Sequence, residues 1–157
     1  MTELWLPDAD ATDALGARLA MTRPAQAVVH LHGDLGAGKS TIARALLRAL
    51  GVQGAIRSPT YTLVERYPLG DGEAWHLDLY RIADPGELEF LGLDGADVRL
   101  WLVEWPERGV GALPQPDLTI ELSMRGPGRI ARLHPGSSVG EAWVGRVSPG
   151  QEVADDF

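Results

Sequence analysis

AVVHLHGDLGAGKST (Ala27–Thr41) decides how the rest of this chain is read. Ala27–Leu31 is a short apolar run of the kind that forms a buried parallel strand. Gly33–Ser40 then matches G-x-x-x-x-G-K-[ST] at every fixed position. After it, Ile42, Leu46, Ala49 and Leu50 recur about one helical turn apart, and Gly51 marks the end of that helix. Strand, glycine turn and helix in this order predict a phosphate cradle. Gly33 turns the chain sharply out of the strand. Gly36 and Gly38 are free to take backbone angles closed to other residues. The backbone through Asp34, Leu35, Gly36 and Ala37 then aims its N–H groups inward, and the helix adds its positive end through Ser40 and Thr41. In this pattern Lys39 reaches the outer phosphates of a nucleotide and the Ser40 hydroxyl ligates Mg²⁺.

Composition narrows the setting. The 157 residues suit one domain, and 45% hydrophobic with 23% charged residues is ordinary for a globular chain. There is no cysteine, which excludes disulfides and thiolate metal sites. No apolar run is long enough to span a membrane, and the N-terminal stretch lacks the pattern of a signal peptide, so a cytoplasmic location is expected. The net charge of −8 argues against unassisted binding to nucleic acid. All but one of the fourteen basic residues are arginine, and the exception is Lys39. Arginine-favouring codons account for the arginines but not for where the lysine sits. A compact ammonium fits inside a ring of backbone N–H groups, whereas a planar guanidinium does not.

Further along, residues 3–6 read as an edge strand and residues 8–21 as a helix capped by Asp8 or Asp10. Thr60–Tyr67 is rich in β-formers, and Gly70–Gly72 is a hairpin signal. In Ala74–Arg81, Trp75, Leu77 and Leu79 point one way and His76, Asp78 and Tyr80 the other. Asp84, Pro85 and Glu87 predict a capped helix start. Val98–Val103 is another strand, and Leu118–Leu122 and Arg129–Leu133 a closing pair. The expected fold is α/β: one domain over residues 1–148, with a mixed central sheet, parallel at its core with antiparallel additions, flanked by helices. Residues 149–157 read as an acidic, disordered tail.

Nucleotide hydrolysis needs a carboxylate near the metal. Glu104 ends the apolar strand VRLWLV, where such a carboxylate belongs. Asp78 is the second candidate, with a solvent-facing role or pairing with Arg81 as its alternatives. Thr60 and Thr62 lie where γ-phosphate-sensing segments occur, and Trp105 either fills core or stands at the mouth of the site. The four histidines show no ligand spacing. The absence of N-K-x-D removes support for guanine specificity, and no lid segment of the kind small-molecule kinases use is evident. On the residues alone, an ATPase, a small-molecule or nucleoside kinase and a non-catalytic ATP-binding interaction module all stay open.

HGDLGAGKST, SPTYTLVERY, HLDLYRIADPGELEFLGL and LVEWPERG, in this order and at these separations, strongly resemble the TsaE (formerly YjeE) family over nearly the whole chain. The resemblance implies a P-loop α/β domain and slow Mg-ATP hydrolysis, with ATP and Mg²⁺ as cofactors. Its role would be in forming threonylcarbamoyladenosine at position 37 of tRNAs. The implied partner is the TsaB–TsaD heterodimer, in which TsaD transfers the threonylcarbamoyl group, so tRNA is met only indirectly. The resemblance places Ser40 and Glu104 at the metal, makes Asp78 and Trp105 important for hydrolysis, and puts Thr60 near the γ-phosphate. Arg129 and the backbone near Ala9 to Thr12 join the nucleotide site. Ser40 stands where the family more often has threonine, which keeps the hydroxyl.

Overall fold

A computed structural model describes residues 1–92 and 97–148 of the chain. The acidic segment 149–157 lies outside the described residues. The fold is α/β: a seven-stranded mixed sheet and three α-helices among the described residues. Strand β1 (Thr2–Leu6) leads into α1 (Ala9–Thr22), β2 (Ala27–His32) and α2 (Lys39–Ala49). Then come the hairpin β3 (Val64–Leu69) and β4 (Gly72–Asp78), followed by β5 (Val98–Glu104), the hairpin β6 (Leu118–Arg125) and β7 (Gly128–Pro135), and α3 (Ser138–Val147). The sheet order is β1-β7-β6-β2-β5-β4-β3. β6, β2, β5 and β4 run parallel, and β7, β1 and β3 are antiparallel additions at the two sides.

Parallel pairing brings the C-terminal ends of β2, β5 and β4 to one edge of the sheet, the edge at which open α/β sheets place their ligands. Leu31 pairs with Glu104, and Glu104 with Asp78. In the larger hydrophobic cluster Leu15 and Leu19 of α1, Ile42, Leu46 and Leu47 of α2, and Trp143 of α3 pack against Leu31, Leu100, Leu102 and Ile120 of the sheet. A smaller cluster lies on the opposite face, where Trp75, Leu77, Trp101 and Val103 meet Leu79, Ile82 and Leu88.

Three features differ from the sequence reading. Helix α3 went unanticipated: two glycines dilute its apolar pattern, but Ser137 caps it and Trp143 donates to the Leu19 carbonyl at 3.3 Å and the Thr22 hydroxyl at 3.1 Å. The segment after Asp84 is a 3₁₀ helix over Pro85–Leu91. There Asp84 caps Gly86, while Glu87 accepts from Ala83 rather than from Asp84, so no closed capping box forms. In β4 the alternation holds, yet both faces are buried from Ala74 to Asp78. Strand β4 is covered on its two sides by the two clusters, so the polar face is interior.

Gly16 sets the distance between α1 and α2. A Cβ built there would stand 2.6 Å from the Ala45 Cβ and 3.0 Å from the Leu46 nitrogen. Gly16→Val is therefore expected to destabilise the chain by about 1–3 kcal/mol through overpacking. It should be read as a lower urea midpoint at unchanged m-value.

Candidate active site

The glycine turn joins β2 to α2 by taking left-handed angles at Gly36 (φ 81°) and Gly38 (φ 109°), the latter being the N-cap of α2. At Gly33 (φ 151°) a side chain would strike the Leu122 carbonyl oxygen, 2.6 Å from an added Cβ. No side chain caps α2, so its first-turn N–H groups face the cleft, as an anion site requires. The Lys39 ammonium is curled into the turn. It donates to the Gly33 carbonyl and, at 3.1 Å, to the Asp34 carbonyl, and it stands 4.5 Å above the Trp105 ring. Lys39 is buried. Arg129 grips the same loop from outside, donating through Nε to the Ala37 carbonyl at 2.9 Å and through Nη2 to Gly36 at 3.4 Å.

Opposite the turn stand the ends of β5 and β4. Glu104 is 3% exposed, and both of its carboxylate oxygens lie 3.0 Å from the Ser40 hydroxyl. Its Oε2 also accepts from His76 Nε2 at 2.6 Å. Asp78 is buried, which removes the solvent-facing alternative, and Arg81 stacks on the Tyr61 ring instead of pairing with it. Asp78 accepts from the Tyr80 backbone N–H at 3.0 Å and from the Thr60 hydroxyl at 3.3 Å. The 58–63 segment is held by backbone bonds at its end: Leu63 donates to Pro59 and accepts from Asp78. Among the described residues the two non-glycine positions with positive φ, Leu63 (69°) and Trp105 (58°), both flank these carboxylates. Such strain concentrates at functional sites.

The cleft has a volume of about 340 Å³ and is walled by Gly36, Gly38, Lys39, Ser40, Thr60, Asp78, Glu104, Trp105 and Arg129, with Leu35, Thr41 and Tyr80 completing it. A recess of about 200 Å³ adjoins it, lined by Ala9 and Thr12 and sharing Gly38, Thr41 and Arg129. Gly33, Asp34 and Ala37 are not on the wall; their carbonyls hold Lys39 and Arg129. Thr62 is apart from the site, its hydroxyl on Glu65 at 3.1 Å. Two residues not singled out from the sequence belong here. His76 supports Glu104, and Tyr80 packs on Trp105 with ring centroids 5.0 Å apart. Their signal was the alternation that puts both on the Asp78 face of β4.

Among the described residues no cluster of three or more His, Cys, Asp or Glu forms a protein-built metal cage. One hydroxyl and one carboxylate beside a phosphate cradle is instead the sparse oxygen set that suits Mg²⁺, which keeps waters and takes phosphate oxygens as ligands. No helix among the described residues is long and apolar enough to cross a membrane.

The family model described as "Threonylcarbamoyl adenosine biosynthesis protein TsaE" matches residues 6–131. The chain belongs to the TsaE family. It is 43% identical over 124 residues to the tRNA threonylcarbamoyladenosine biosynthesis protein TsaE of Haemophilus influenzae, covering 77% of this chain and 78% of that one. It is 44% identical over 119 residues to the protein of the same name from Synechocystis, covering 72% and 73%. Its fold superposes on the crystal structure of Bacillus subtilis YdiB with a TM-score of 0.80 at 25% identity, over 96% of this chain and 95% of the other. The fold and family expected from the motifs are thus those observed.

Two outcomes follow from this TsaE chain's geometry. The ammonium of Lys39 is enclosed by two carbonyls and an indole; if the cleft takes the Mg-nucleotide that the motif predicts, Lys39→Arg should weaken Mg·ADP binding at least about tenfold despite its retained charge, as titration calorimetry would read. Away from the cleft, burial pushes the His30 imidazole down to about 4, with His32 adding to the shift and the Pro114 backbone and Glu107 opposing it. The unfolded chain therefore binds the extra proton between pH 6.5 and about 4. Stability present above 6.5 should fall as pH drops through that interval, and His30→Leu should flatten the slope of urea midpoint against pH.

Proposed function

We propose that this chain is a magnesium-dependent ATPase that serves tRNA threonylcarbamoyladenosine formation by cycling the TsaB–TsaD heterodimer. The observation that carries the reading is the convergence in one cleft of the glycine turn, Lys39, the Ser40–Glu104 pair at 3.0 Å and the Thr60–Asp78 pair at 3.3 Å. Its biosynthetic half rests on family membership and on the printed names of the Haemophilus and Synechocystis relatives.

The residues divide the work. The turn and the N-terminus of α2 bind phosphate oxygens through backbone N–H groups. Lys39 exchanges its carbonyl partners for the outer phosphates, adding a point charge where negative charge builds. Ser40 and Glu104 would hold Mg²⁺, which would supply positive charge against the phosphates. Asp78 orients the attacking water, and Thr60, hydrogen-bonded to it, links that carboxylate to the 58–63 segment beside the γ-phosphate. The adjoining recess at Ala9 and Thr12 takes the nucleoside, and Arg129 fixes the loop between the two compartments. Trp105 shields the Lys39 side of the cleft from solvent.

Partner dependence has its own support. The wall of the cleft carries exposed Leu35 and the less exposed Tyr80, and exposed Tyr61 follows Thr60 in the chain. Arg81 lies 4.8 Å from the Tyr61 ring and Arg108 5.3 Å from the Tyr80 ring. Tyrosine, tryptophan and arginine are the residues enriched at protein interfaces. A partner seated there would meet the nucleotide directly, and it would also remove any need for basic surface on an acidic chain.

The test is Glu104→Gln. Its amide should keep Mg·ATP binding within roughly tenfold, while turnover falls about a hundredfold or more. Mixed with TsaB–TsaD and tRNA, the variant should fail to sustain repeated rounds of modification. Full modification by a variant that no longer hydrolyses ATP would sink the cycling role.

A further inference from the structure

His76 is a histidine in a place where physical chemistry would put a leucine. It lies in β4 in register with Leu102 of β5, is fully buried, and shares its pleat face with Ala74. Leu100, Leu102 and Ala74 on this side of the sheet are each no more than 1% exposed and belong to the larger hydrophobic cluster. Placing an imidazole in such a setting is costly unless its polar atoms are satisfied. Yet the ring makes one hydrogen bond, the 2.6 Å contact to Glu104 Oε2, and its Nδ1 is buried with no partner among the described residues. The ring's polar character is thus directed at one atom of one side chain.

That atom fixes the geometry of the site. A glutamate at a strand end has three rotatable bonds and would sample several rotamers. Here Oε2 is shared between His76 Nε2 and the Ser40 hydroxyl, while Oε1 has only Ser40 at 3.0 Å. The buried His76 ring thus anchors Oε2, while Oε1 has Ser40 alone as its partner. A carboxylate oxygen accepts in this contact, so the donated proton sits on Nε2.

We infer that His76 is a positioning residue. By donating Nε2–H to Glu104 Oε2 it locks the carboxylate in the rotamer that presents Oε1 to Mg²⁺ beside Ser40. This deepens the ATPase reading and rests on it for the turnover arm of the test. Outer-shell partners that orient metal-binding groups typically change metal affinity or activity by roughly ten- to a hundredfold when removed.

The experiment compares His76→Leu, which fills the volume without a donor, with His76→Gln, whose Nε2 amide can reach the same oxygen. The leucine variant should need about tenfold more Mg²⁺ for half-maximal ATP turnover and for ADP binding, with kcat reduced and the KM for ATP within about threefold of wild type. The glutamine variant should recover most of the loss. Nitrogen-15 spectra of the histidine rings in the wild-type chain supply a readout independent of activity. They should place the His76 proton on Nε2, with its resonances shifting when Mg·ADP is added.

A folded leucine variant with wild-type Mg²⁺ dependence overturns the inference. So does a folded glutamine variant as impaired as the leucine one, or a ring protonated on Nδ1 with Nε2 bare. The ring tautomer decides the matter even where leucine prevents folding. If the wild-type chain does not hydrolyse ATP, the ATPase reading fails alone, and the tautomer and the Mg·ADP affinities still judge His76.

Discussion

A carboxylate buried to 3% exposure has to be satisfied, and the way Glu104 is satisfied organises this molecule. Its two oxygens are met by Ser40 from the first turn of α2 and by His76 from β4, while its own backbone closes β5. Three elements distant in sequence are thereby held to one point. Burying an ionised group without such partners would cost several kcal/mol. The same bonds that make burial tolerable also define where the first turn of α2 stands relative to the sheet edge.

The parallel core explains why this point lies where a ligand can reach it. β2, β5 and β4 end together, and each delivers one part of the site: the glycine turn, Glu104 and Asp78. The chain then leaves the edge under strain. Trp105 follows Glu104 immediately and takes a left-handed conformation, which swings its ring over Lys39. Leu63, also left-handed, accepts from the Asp78 N–H and so fixes the end of the Thr60 segment against β4. Non-glycine residues adopt these angles only where surrounding contacts over-determine them. Here those contacts are the ones that close the cleft.

Much of this was legible in the sequence because its signals are local. The glycine turn, the Ala27 and Val98 apolar runs and the β6–β7 hairpin are each written in a few adjacent residues and form as read, and of the two candidate caps of α1 it is Asp8 that serves. What was not legible depends on distant neighbours. The alternation of β4 correctly put His76, Asp78 and Tyr80 on one face, but only the packing of both clusters makes that face interior. His76 therefore read as an unremarkable histidine, since its partner is 28 residues away on another strand. Helix α3 escaped because Gly140 and Gly145 weaken its pattern. Gly140 is needed: an added Cβ would overlap the Asp117 carbonyl oxygen at 1.7 Å. Tertiary approach, not helix propensity, chose that residue.

The two cations at the glycine turn show why one chain needs both kinds. Arg129 works from outside, where its planar fork spans separated backbone carbonyls at Ala37, Gly36 and Gly128. It thereby fixes the loop's shape while forming part of the cleft wall. Lys39 works from inside, where the two carbonyls of Gly33 and Asp34 converge on a single point and an indole closes the third side. A flat group with five donors cannot be satisfied there; a compact ammonium with three can. In a sequence that uses arginine at every other basic position, the lone lysine is explained by the geometry of one loop. The ammonium's partners are neutral carbonyls, so phosphate oxygens, being charged acceptors, compete well for it. A lysine satisfied by its own loop in this way needs no buried counter-charge. The site's carboxylates are then left to Ser40, His76 and Thr60, and the cradle keeps its positive charge for the ligand.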